Sequence, residues 1–330
     1  MEDGISTEEI AEKIREVSIA EFFEKNRHLL GYENPTKSLF TVVKEAVDNS
    51  VDACIEARIL PKIKVSVKQV GENIYKVKVE DNGPGLPPQK VPIAFGKFLV
   101  GSKFYRYRQS IGTQGIGIKG AILYAQLTTG KPAKIITYYK KKKHEFELMI
   151  DVLRNEPKII SHKEEILEKD LHGISIELIV EGRYIEKGQS IPTYLRYLWL
   201  SNPYLEITYD GPENGFKLEP VVNELPPSPK EIKPHPYGVE LGKFKRMLHL
   251  TNTRTVSGFL SSEFSRVSSQ AAEKICKLAK VDPKKSPKEV TDEEAERLHR
   301  AMQTVKLMAP PTDCLSPLKE DFLVEALKKE

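Results

Sequence analysis

Acidic and amide side chains recur in one stretch of the chain, residues 44–53, which reads KEAVDNSVDA. At about 100° per residue, four of them fall on one stripe of a helix while the apolar residues spread over the other side. The four are Glu45, Asp48, Asn49 and Asp52. Asp48 and Asp52 lie one turn apart, and such a pair of like charges destabilises a helix by roughly 0.2–0.5 kcal/mol. We therefore expect a positive partner against this stripe.

Two glycine-rich segments could approach an anion. EDNGPGLP, residues 80–87, follows a predicted strand, and its glycines free the backbone; a plain polar loop is the other interpretation. GTQGIGIKGA, residues 112–121, bares successive N–H groups before a predicted helix, whose first turn attracts anions. It does not fit a dinucleotide-binding fingerprint, because that motif follows a hydrophobic strand and the segment before this one is basic and aromatic. It does not fit a P-loop either, because Gly117 is followed by Ile118 where a P-loop has lysine. The second segment predicts phosphate binding by another fold.

The composition is that of a globular chain, with 330 residues of which 39% are hydrophobic and 30% are charged. Its apolar runs are too short to span a membrane, and its acidic N-terminus is unlike a signal peptide. Cys54, Cys276 and Cys314 lack metal-ligand spacing, so we expect free thiols in a reducing cytoplasm. The net charge is +4, and residues 226–310 alone carry sixteen Lys/Arg against ten Asp/Glu, which suggests a polyanionic partner.

Hydrophobic periodicity predicts helices and then a sheet. Ser6–Glu9 and Ser18–Glu21 read as capping boxes, and Thr36 is expected to cap a helix that runs to about Ile59. Beyond it the period changes to two in six segments, KIKVSVKQV, IYKVKVE, AKIITYY, HEFELMID, GISIELIV and LEITYD. Polar residues on one face predict antiparallel strands whose other face is covered by helices, a two-layer α+β sandwich.

Two proline-rich breaks divide the chain. LPPSPKEIKPHPYG, residues 225–238, closes the α+β part, and helical periods follow it, with a capping box at Thr291–Glu294. APPTDCLSP, residues 309–317, precedes one last helical segment. We therefore expect an α+β domain over residues 1–225, an all-helical domain over residues 226–306, and a short segment over residues 307–330.

Taken together, the motifs resemble those of a known superfamily. The chain has E-x-x-x-N-S-x-D-A on a helix, a strand ending in D-x-G-x-G, and G-x-x-G-x-G-x-K entering a helix, in this order. This resembles the GHKL ATPases, which include gyrase B, MutL, the ninety-kilodalton heat-shock chaperones and sensor histidine kinases. GKFLVGSKF, RQSIGTQGIGIKGAILYAQ and MAPPTDCLSPL are similar, more specifically, to the B subunits of DNA topoisomerase VI, a type IIB topoisomerase.

The resemblance implies a Bergerat ATP-binding fold with a mixed, mostly antiparallel sheet, followed by a helix–two-turn–helix module. A transducer domain would begin about where these 330 residues stop. Since a transducer lysine that reaches the terminal phosphate has no counterpart here, the resemblance implies weak ATP hydrolysis by the chain alone.

The resemblance also assigns roles to residues. Glu45 is implied as the general base that orients the attacking water, Asn49 as a ligand of Mg²⁺, and Asp81 as the acceptor of the adenine amino hydrogen. Asp52 either supports the pocket or makes a water-mediated contact. Where the family has threonine, this chain has Ile174, with Ser175 as a candidate substitute. The residues implied for nucleotide binding are Asn49, Asp52, Asp81, Gly83, Gly85, Ser102, Lys103, Gly112, Thr113, Gln114, Gly115, Ile116, Gly117, Ile118 and Lys119.

The implied function is that of the ATP-binding B subunit, which dimerises with ATP and gates the passage of duplex DNA. Its implied partner is the DNA-cleaving A subunit in an A2B2 heterotetramer, in the cytoplasm at the nucleoid and not at a membrane. The N-terminal helices that end near FFEKNRHLLGY would form a strap or a pair that covers the domain. The alternative is an ATP-gated clamp or chaperone that acts on a protein; a histidine kinase is disfavoured because no phosphoacceptor histidine in a heptad context precedes the domain.

Five basic residues of the helical region have two interpretations. They could contact duplex phosphates without reading sequence, or they could form a solvated basic face. The five are Lys243, Lys245, Arg246, Arg254 and Arg266.

Overall fold

The computed structural model describes residues 16–101, 107–112 and 115–329. They divide into two compact units, one drawn from Met1–Phe104, Ser110–Pro226 and Leu318–Glu330 and the other from Tyr105–Gln109 and Pro227–Pro317. Among the described residues, no helix combines the length and the apolar character that a membrane span requires. The three cysteines are free thiols, as expected.

An eight-stranded sheet lies at the centre of the first unit, in the order β5-β4-β3-β6-β2-β1-β7-β8. All neighbouring strands are antiparallel except β1 and β7, which run parallel, so the predicted mixed sheet is confirmed. The strands are β1 Lys62–Gly71, β2 Ile74–Glu80, β3 Ala133–Tyr139, β4 Lys142–Asp151, β5 Glu156–Ile166, β6 Ile174–Glu181, β7 Glu206–Asp210 and β8 Gly215–Leu218. The sequence pattern missed β5 and β8, the two edge strands, because β5 is mostly exposed without regular alternation and β8 is only four residues long.

The helices are distributed over both units. Helices α6 to α9 belong to the second unit and the others to the first. In chain order they are α1 Ile19–Lys25, α2 Pro35–Glu56, α3 Val91–Gly96, α4 Gly117–Thr129, α5 Ile191–Ser201, α6 Leu241–Leu250, α7 Val256–Glu263, α8 Ser269–Ala279, α9 Asp292–Thr304 and α10 Glu320–Lys329.

Helix α2 carries the acidic stripe, and its ends differ from the prediction. Asn34 caps it instead of Thr36, since its side-chain oxygen accepts the N–H of Lys37 at 2.9 Å. Pro35 explains the difference, because a proline is accommodated at the first helical position and leaves the preceding residue extended as the cap. The helix ends at Glu56 and not near Ile59.

Helices α2 and α4 cover one face of the sheet. In β2, Tyr75, Val77 and Val79 are buried while the lysines between them are partly exposed, which is the alternation that the sequence predicts. The buried face continues into Val47 of α2 and Ile122 of α4, both in the same apolar core. The predicted two-layer α+β arrangement is therefore confirmed, and it places the acidic helix against the sheet.

The second unit has an apolar core of its own. Phe244, Phe259 and Leu298 are completely buried in it. Thr291 and Glu294 form the predicted reciprocal capping box at the start of α9. The sequence pattern did not predict helix α7, because its segment VSGFLSSE is only eight residues long and contains a glycine, so its i, i+3, i+4 apolar spacing does not repeat.

Residues from an earlier part of the chain complete this second unit. The carbonyl of Tyr107 accepts the N–H of Ile232 at 3.1 Å, and the N–H of Gln109 donates to the carbonyl of Cys314 at 2.8 Å. The side-chain oxygen of Gln109 accepts the N–H of Ser316 at 2.6 Å. Residues 107–109 are therefore an integral part of the helical unit.

Candidate nucleotide-binding site

Two carboxylates of the acidic stripe of α2 have hydrogen-bond partners within the protein. The Asp48 carboxylate accepts hydrogen bonds from the ammonium group of Lys44 and the hydroxyl of Tyr194, both at 2.5 Å. Asp52 accepts the N–H groups of Ile111 and Gly112 at 3.0 and 2.8 Å. The expected positive partner is therefore Lys44 for Asp48, while Asp52 is held by two main-chain N–H donors.

Glu45 faces the start of α4. A Cβ atom added at Gly117 would overlap the Glu45 carboxylate, so the absence of a side chain at Gly117 is what admits Glu45. Burial raises the pKa of the Glu45 carboxyl; the nearby Lys44 charge opposes this shift and the Asp48 charge adds to it. A partly desolvated carboxylate at a helix N-terminus is a suitable acceptor for a proton from water.

Asn49 lies one turn after Glu45 and is exposed. Its side-chain N–H donates to the main-chain carbonyl of Glu45 at 2.6 Å. This bond fixes the amide plane and leaves the side-chain oxygen 3.8 Å from the position of a Cβ added at Gly112. The oxygen thus faces the glycine-rich loop, and an amide oxygen is a ligand that Mg²⁺ accepts.

Asp81 is held at the end of β2. Its Oδ1 atom accepts the N–H groups of Gly83 and Ile174 at 2.9 and 3.1 Å, and Ser50 of α2 also bonds to the carboxylate. Burial raises the pKa of the Asp81 carboxyl, and these hydrogen bonds act against the shift. The position where the family has threonine therefore contributes its main-chain N–H, and within the described residues Ser175 is not a partner of Asp81.

Glycines let the loop after Asp81 pack closely on the sheet. Gly85 has a φ of +71°, and an added Cβ would lie 2.6 Å from the carbonyl of Tyr138. Thr137 fixes the next residue, since its hydroxyl accepts the N–H of Leu86 at 2.8 Å and donates to its carbonyl at 3.0 Å. Below the loop, the Cys54 thiol is buried, and this burial raises its pKa to about 12. The loop and its acidic residue form a shaped surface against the acidic helix.

The second glycine segment ends in an open helix terminus. The first main-chain hydrogen bond of α4 runs from Gly120 to Ile116 at 2.8 Å, and Ile116, the residue before the helix, makes no side-chain capping bond. The N–H groups of Gly117, Ile118 and Lys119 precede that bond, and such groups have no partner within a helix. They can therefore bind an anion. Ser102, Lys103, Thr113 and Gln114 lie outside the described residues.

The structure brings most of the described candidate residues to one region of the first unit. Asn49 and Asp52 face Gly112, Glu45 meets Gly117, and Asp81 is bonded to Gly83. The sequence motifs did not assign roles to the supporting residues, which are Ser50, Lys44, Tyr194, Thr137 and the N–H of Ile174. Only Ser50 had a signal, since it lies within the N-S-x-D-A motif.

Comparison with known proteins identifies the domain that contains the site. Residues 34–152 match the family model described as histidine kinase-, DNA gyrase B- and HSP90-like ATPase. This chain carries an ATPase domain of that family. The domain contains Glu45, Asn49, Asp81 and both glycine segments. Nucleotide binding is therefore the activity that the domain implies.

The relatives extend the similarity beyond the ATPase domain. The chain is 46% identical over 324 residues to the B subunit of type 2 DNA topoisomerase 6 from Archaeoglobus fulgidus, covering 96% of this chain and 53% of that protein. The Methanococcoides burtonii protein of the same name is 43% identical over 328 residues, covering 98% of this chain and 52% of that protein. The resemblance to topoisomerase VI B subunits is confirmed. The chain spans about half the length of the curated relatives it matches.

Solved structures named as ATPase regions or domains align with lower identity. The ATPase region of Saccharomyces cerevisiae topoisomerase II bound to ICRF-187 aligns with a TM-score of 0.45 and 12% identity, covering 63% of each chain. The 43K ATPase domain of Thermus thermophilus gyrase B aligns with a TM-score of 0.41 and 14% identity, covering 60% of this chain and 50% of that one.

Proposed function

We propose that this chain binds ATP with Mg²⁺ in the first unit and hydrolyses it as the B subunit of a type IIB DNA topoisomerase. The carrying observation is the placement of Glu45 against Gly117, at the uncapped start of α4. A general base and an anion-binding helix terminus then meet at one point, as phosphoryl transfer to water requires. The proposed roles of the individual residues are the ones expected from the family.

The chain's own groups would act as follows. Asp81 accepts the amino hydrogen of adenine, and Gly85 lets the base approach. The N–H groups at the start of α4 donate to phosphate oxygens, and Glu45 orients the attacking water and takes its proton. Asn49 would hold Mg²⁺ through its side-chain oxygen. Mg²⁺, when bound, supplies positive charge that neutralises the phosphates. Asp52 supports the pocket by fixing Ile111 and Gly112.

The whole-protein function is proposed from the relatives, whose names identify them as B subunits of a type 2 DNA topoisomerase. In this proposal nucleotide binding drives dimerisation, a DNA-cleaving A subunit completes an A2B2 assembly at the nucleoid, and duplex DNA is the substrate. Three of the five basic residues of the helical unit already have internal partners. Lys243 lies over the Tyr107 ring, Lys245 pairs with two carboxylates, and Arg266 donates to a main-chain carbonyl. Arg246 and Arg254 are therefore the stronger candidates for phosphate contacts.

Two substitutions test the site. Asp81→Asn should abolish ATP binding in calorimetry, because the amide N–H would face the adenine amino group. Glu45→Ala should leave the dissociation constant within about threefold and lower turnover by roughly 10²–10⁴. Unchanged turnover in Glu45→Ala would refute the base assignment, and unchanged binding in Asp81→Asn would refute the site. Phosphate release measures this turnover. The assay, run on the 330-residue chain and on a full-length relative, also tests whether the chain alone hydrolyses ATP weakly, as expected.

A further inference from the structure

The Lys119 side chain is buried at the first turn of α4, with only 3% of the residue exposed. Its ammonium group donates to the main-chain carbonyls of Val100 at 2.5 Å and Gly115 at 2.9 Å. Burial lowers the pKa of this amine to about 8, with no carboxylate acting against that shift. Within the described residues, the ammonium group therefore donates hydrogen bonds to two carbonyl oxygens and pairs with no carboxylate.

These two hydrogen bonds fix the orientation of the neighbouring peptide planes. The described residues contain no cis peptide bond, and in a trans peptide the C=O and the following N–H point in opposite directions. When Lys119 holds the carbonyl of Gly115, the N–H of Ile116 is turned away from the ammonium group. The same holds for Val100 and the N–H of Gly101. Gly115 has a φ of +60°, a conformation that favours glycine and permits this orientation.

We propose that Lys119 is a positioning residue of the nucleotide site: through the carbonyls of Val100 and Gly115 it orients the N–H groups of Gly101 and Ile116 toward the phosphates, beside the free N–H groups at the start of α4, and it does not contact phosphate itself. This inference rests on the proposed function for the identity of the anion. It changes the role of Lys119 from the phosphate contact that the motif suggests to a support beneath the loop.

The competing role is direct phosphate contact. A lysine ammonium has three N–H donors, of which two are used here. Moving the group to phosphate would break both bonds and leave two partly buried carbonyls without a donor, at a cost of about 1–3 kcal/mol for each. The two roles also differ in what they require. Support needs N–H donors, whereas direct contact needs the positive charge.

A pair of neutral variants separates donor from charge. Lys119→Gln keeps two N–H donors and Lys119→Met keeps neither, while Lys131→Met removes an exposed lysine as the matched control. Amide hydrogen exchange of the nucleotide-free chain should show faster exchange around residues 115–119 in Lys119→Met, and near wild-type exchange in Lys119→Gln and Lys131→Met. Equal exchange in all four proteins would overturn the proposal, and circular dichroism confirms that each variant is folded.

Calorimetry with the non-hydrolysable ATP analogue AMP-PNP and Mg²⁺ supplies the second readout. We expect Lys119→Met to weaken binding at least tenfold and Lys119→Gln to stay within about threefold of wild type, because a neutral donor suffices. Equal losses in both variants would show that the charge itself binds phosphate. If the wild type did not bind AMP-PNP, the proposed function would fail, and the hydrogen exchange of the free chain would still decide the positioning role.

The pH dependence of binding gives an independent check. A neutral amine keeps two N–H groups, so support predicts an affinity that changes less than about twofold between pH 7 and 9, relative to Lys119→Gln. Direct contact would raise the pKa in the complex, and affinity would then fall about tenfold per pH unit above the free value of about 8. Such a fall in wild type, absent from Lys119→Gln, would contradict the proposal.

Discussion

Three carboxylates, two in the first unit and one in the helical unit, are held in opposite ways. In the first unit burial raises the pKa values of Glu45 and Asp81, so their charged forms are disfavoured by folding. In the helical unit Glu294 has a lowered pKa, because the Lys285 ammonium and the N–H of Thr291 bond to it. The first two carboxylates are retained at an energetic cost, while the third stabilises a helix end. The raised pKa values of Glu45 and Asp81 mark these two positions as places where chemistry is expected.

The largest effect should come from the core of the helical unit, where stability depends on packing. Phe244 is completely buried, and Phe244→Ala should lower the free energy of unfolding by about 3–5 kcal/mol because it leaves a cavity. Denaturant unfolding followed by circular dichroism measures this value. A loss below about 1 kcal/mol would show that the stability of the helical unit does not depend on its apolar core, and the proposed difference between the units would fail.

Matched glycine substitutions sharpen the contrast between the units. Gly117→Ala would force the Glu45 carboxylate or the start of α4 to move, and we expect turnover to fall at least about 100-fold. Gly242 of α6 has no atom within 4 Å of an added Cβ, so Gly242→Ala should leave turnover unchanged and stabilise the helix by at most about 1 kcal/mol. Phosphate release and thermal unfolding measure the pair. Similar turnover in both variants would remove the argument for Glu45.

The pH dependence of turnover depends on the raised pKa of Glu45. A general base must be deprotonated, so the rate should fall about tenfold per pH unit once the pH drops below that pKa. The midpoint should lie above the ordinary value of a glutamate carboxyl because burial disfavours its charge. Single-turnover rates between about pH 4.5 and 8 would locate it. A midpoint at or below the ordinary value would contradict the burial argument.

The smallest effects concern stability and should have opposite signs in the two units. Asp81 has a raised pKa, so its charge costs stability at neutral pH, and Asp81→Asn should raise the melting temperature slightly. Glu294 has a lowered pKa, so it stabilises above its unfolded pKa and loses this as the pH falls through its folded pKa. Glu294→Gln should therefore lower the melting temperature at pH 7. Shifts of the same sign in scanning fluorimetry would show that the contrast does not hold.

The sequence predicted those parts of the fold that depend on residues close to one another in the chain. The alternation in β2 and the capping box at Thr291 depend on neighbours in the chain, and both are present. The edge strand β5 was missed because it is mostly exposed on both faces and has no alternating pattern. The cap of α2 was misplaced by two residues, because the constraint that Pro35 imposes was not weighed against the preference of threonine.

The candidate site was predictable as a set of motif residues but not as a network. The partners of Asp48 and Asp52 come from Tyr194 and from the N–H groups of Ile111 and Gly112, which are distant in sequence. A main-chain donor has no sequence signature, and for that reason the N–H of Ile174 beside Asp81 could not be foreseen. The sequence showed only that Ile174 replaces the family's threonine, with Ser175 as a candidate substitute.

The origin of residues 107–109 has a practical consequence for dissecting this protein. A gene fragment limited to residues 227–317 would lack Tyr107 and Gln109, so Ile232 and Ser316 would lose the acceptors, and Cys314 the donor, that these residues supply. In such a fragment these main-chain groups would have no hydrogen-bond partner from residues 107–109. A gene fragment that carries residues 107–109 fused to residues 227–317 would keep these three hydrogen bonds within one chain.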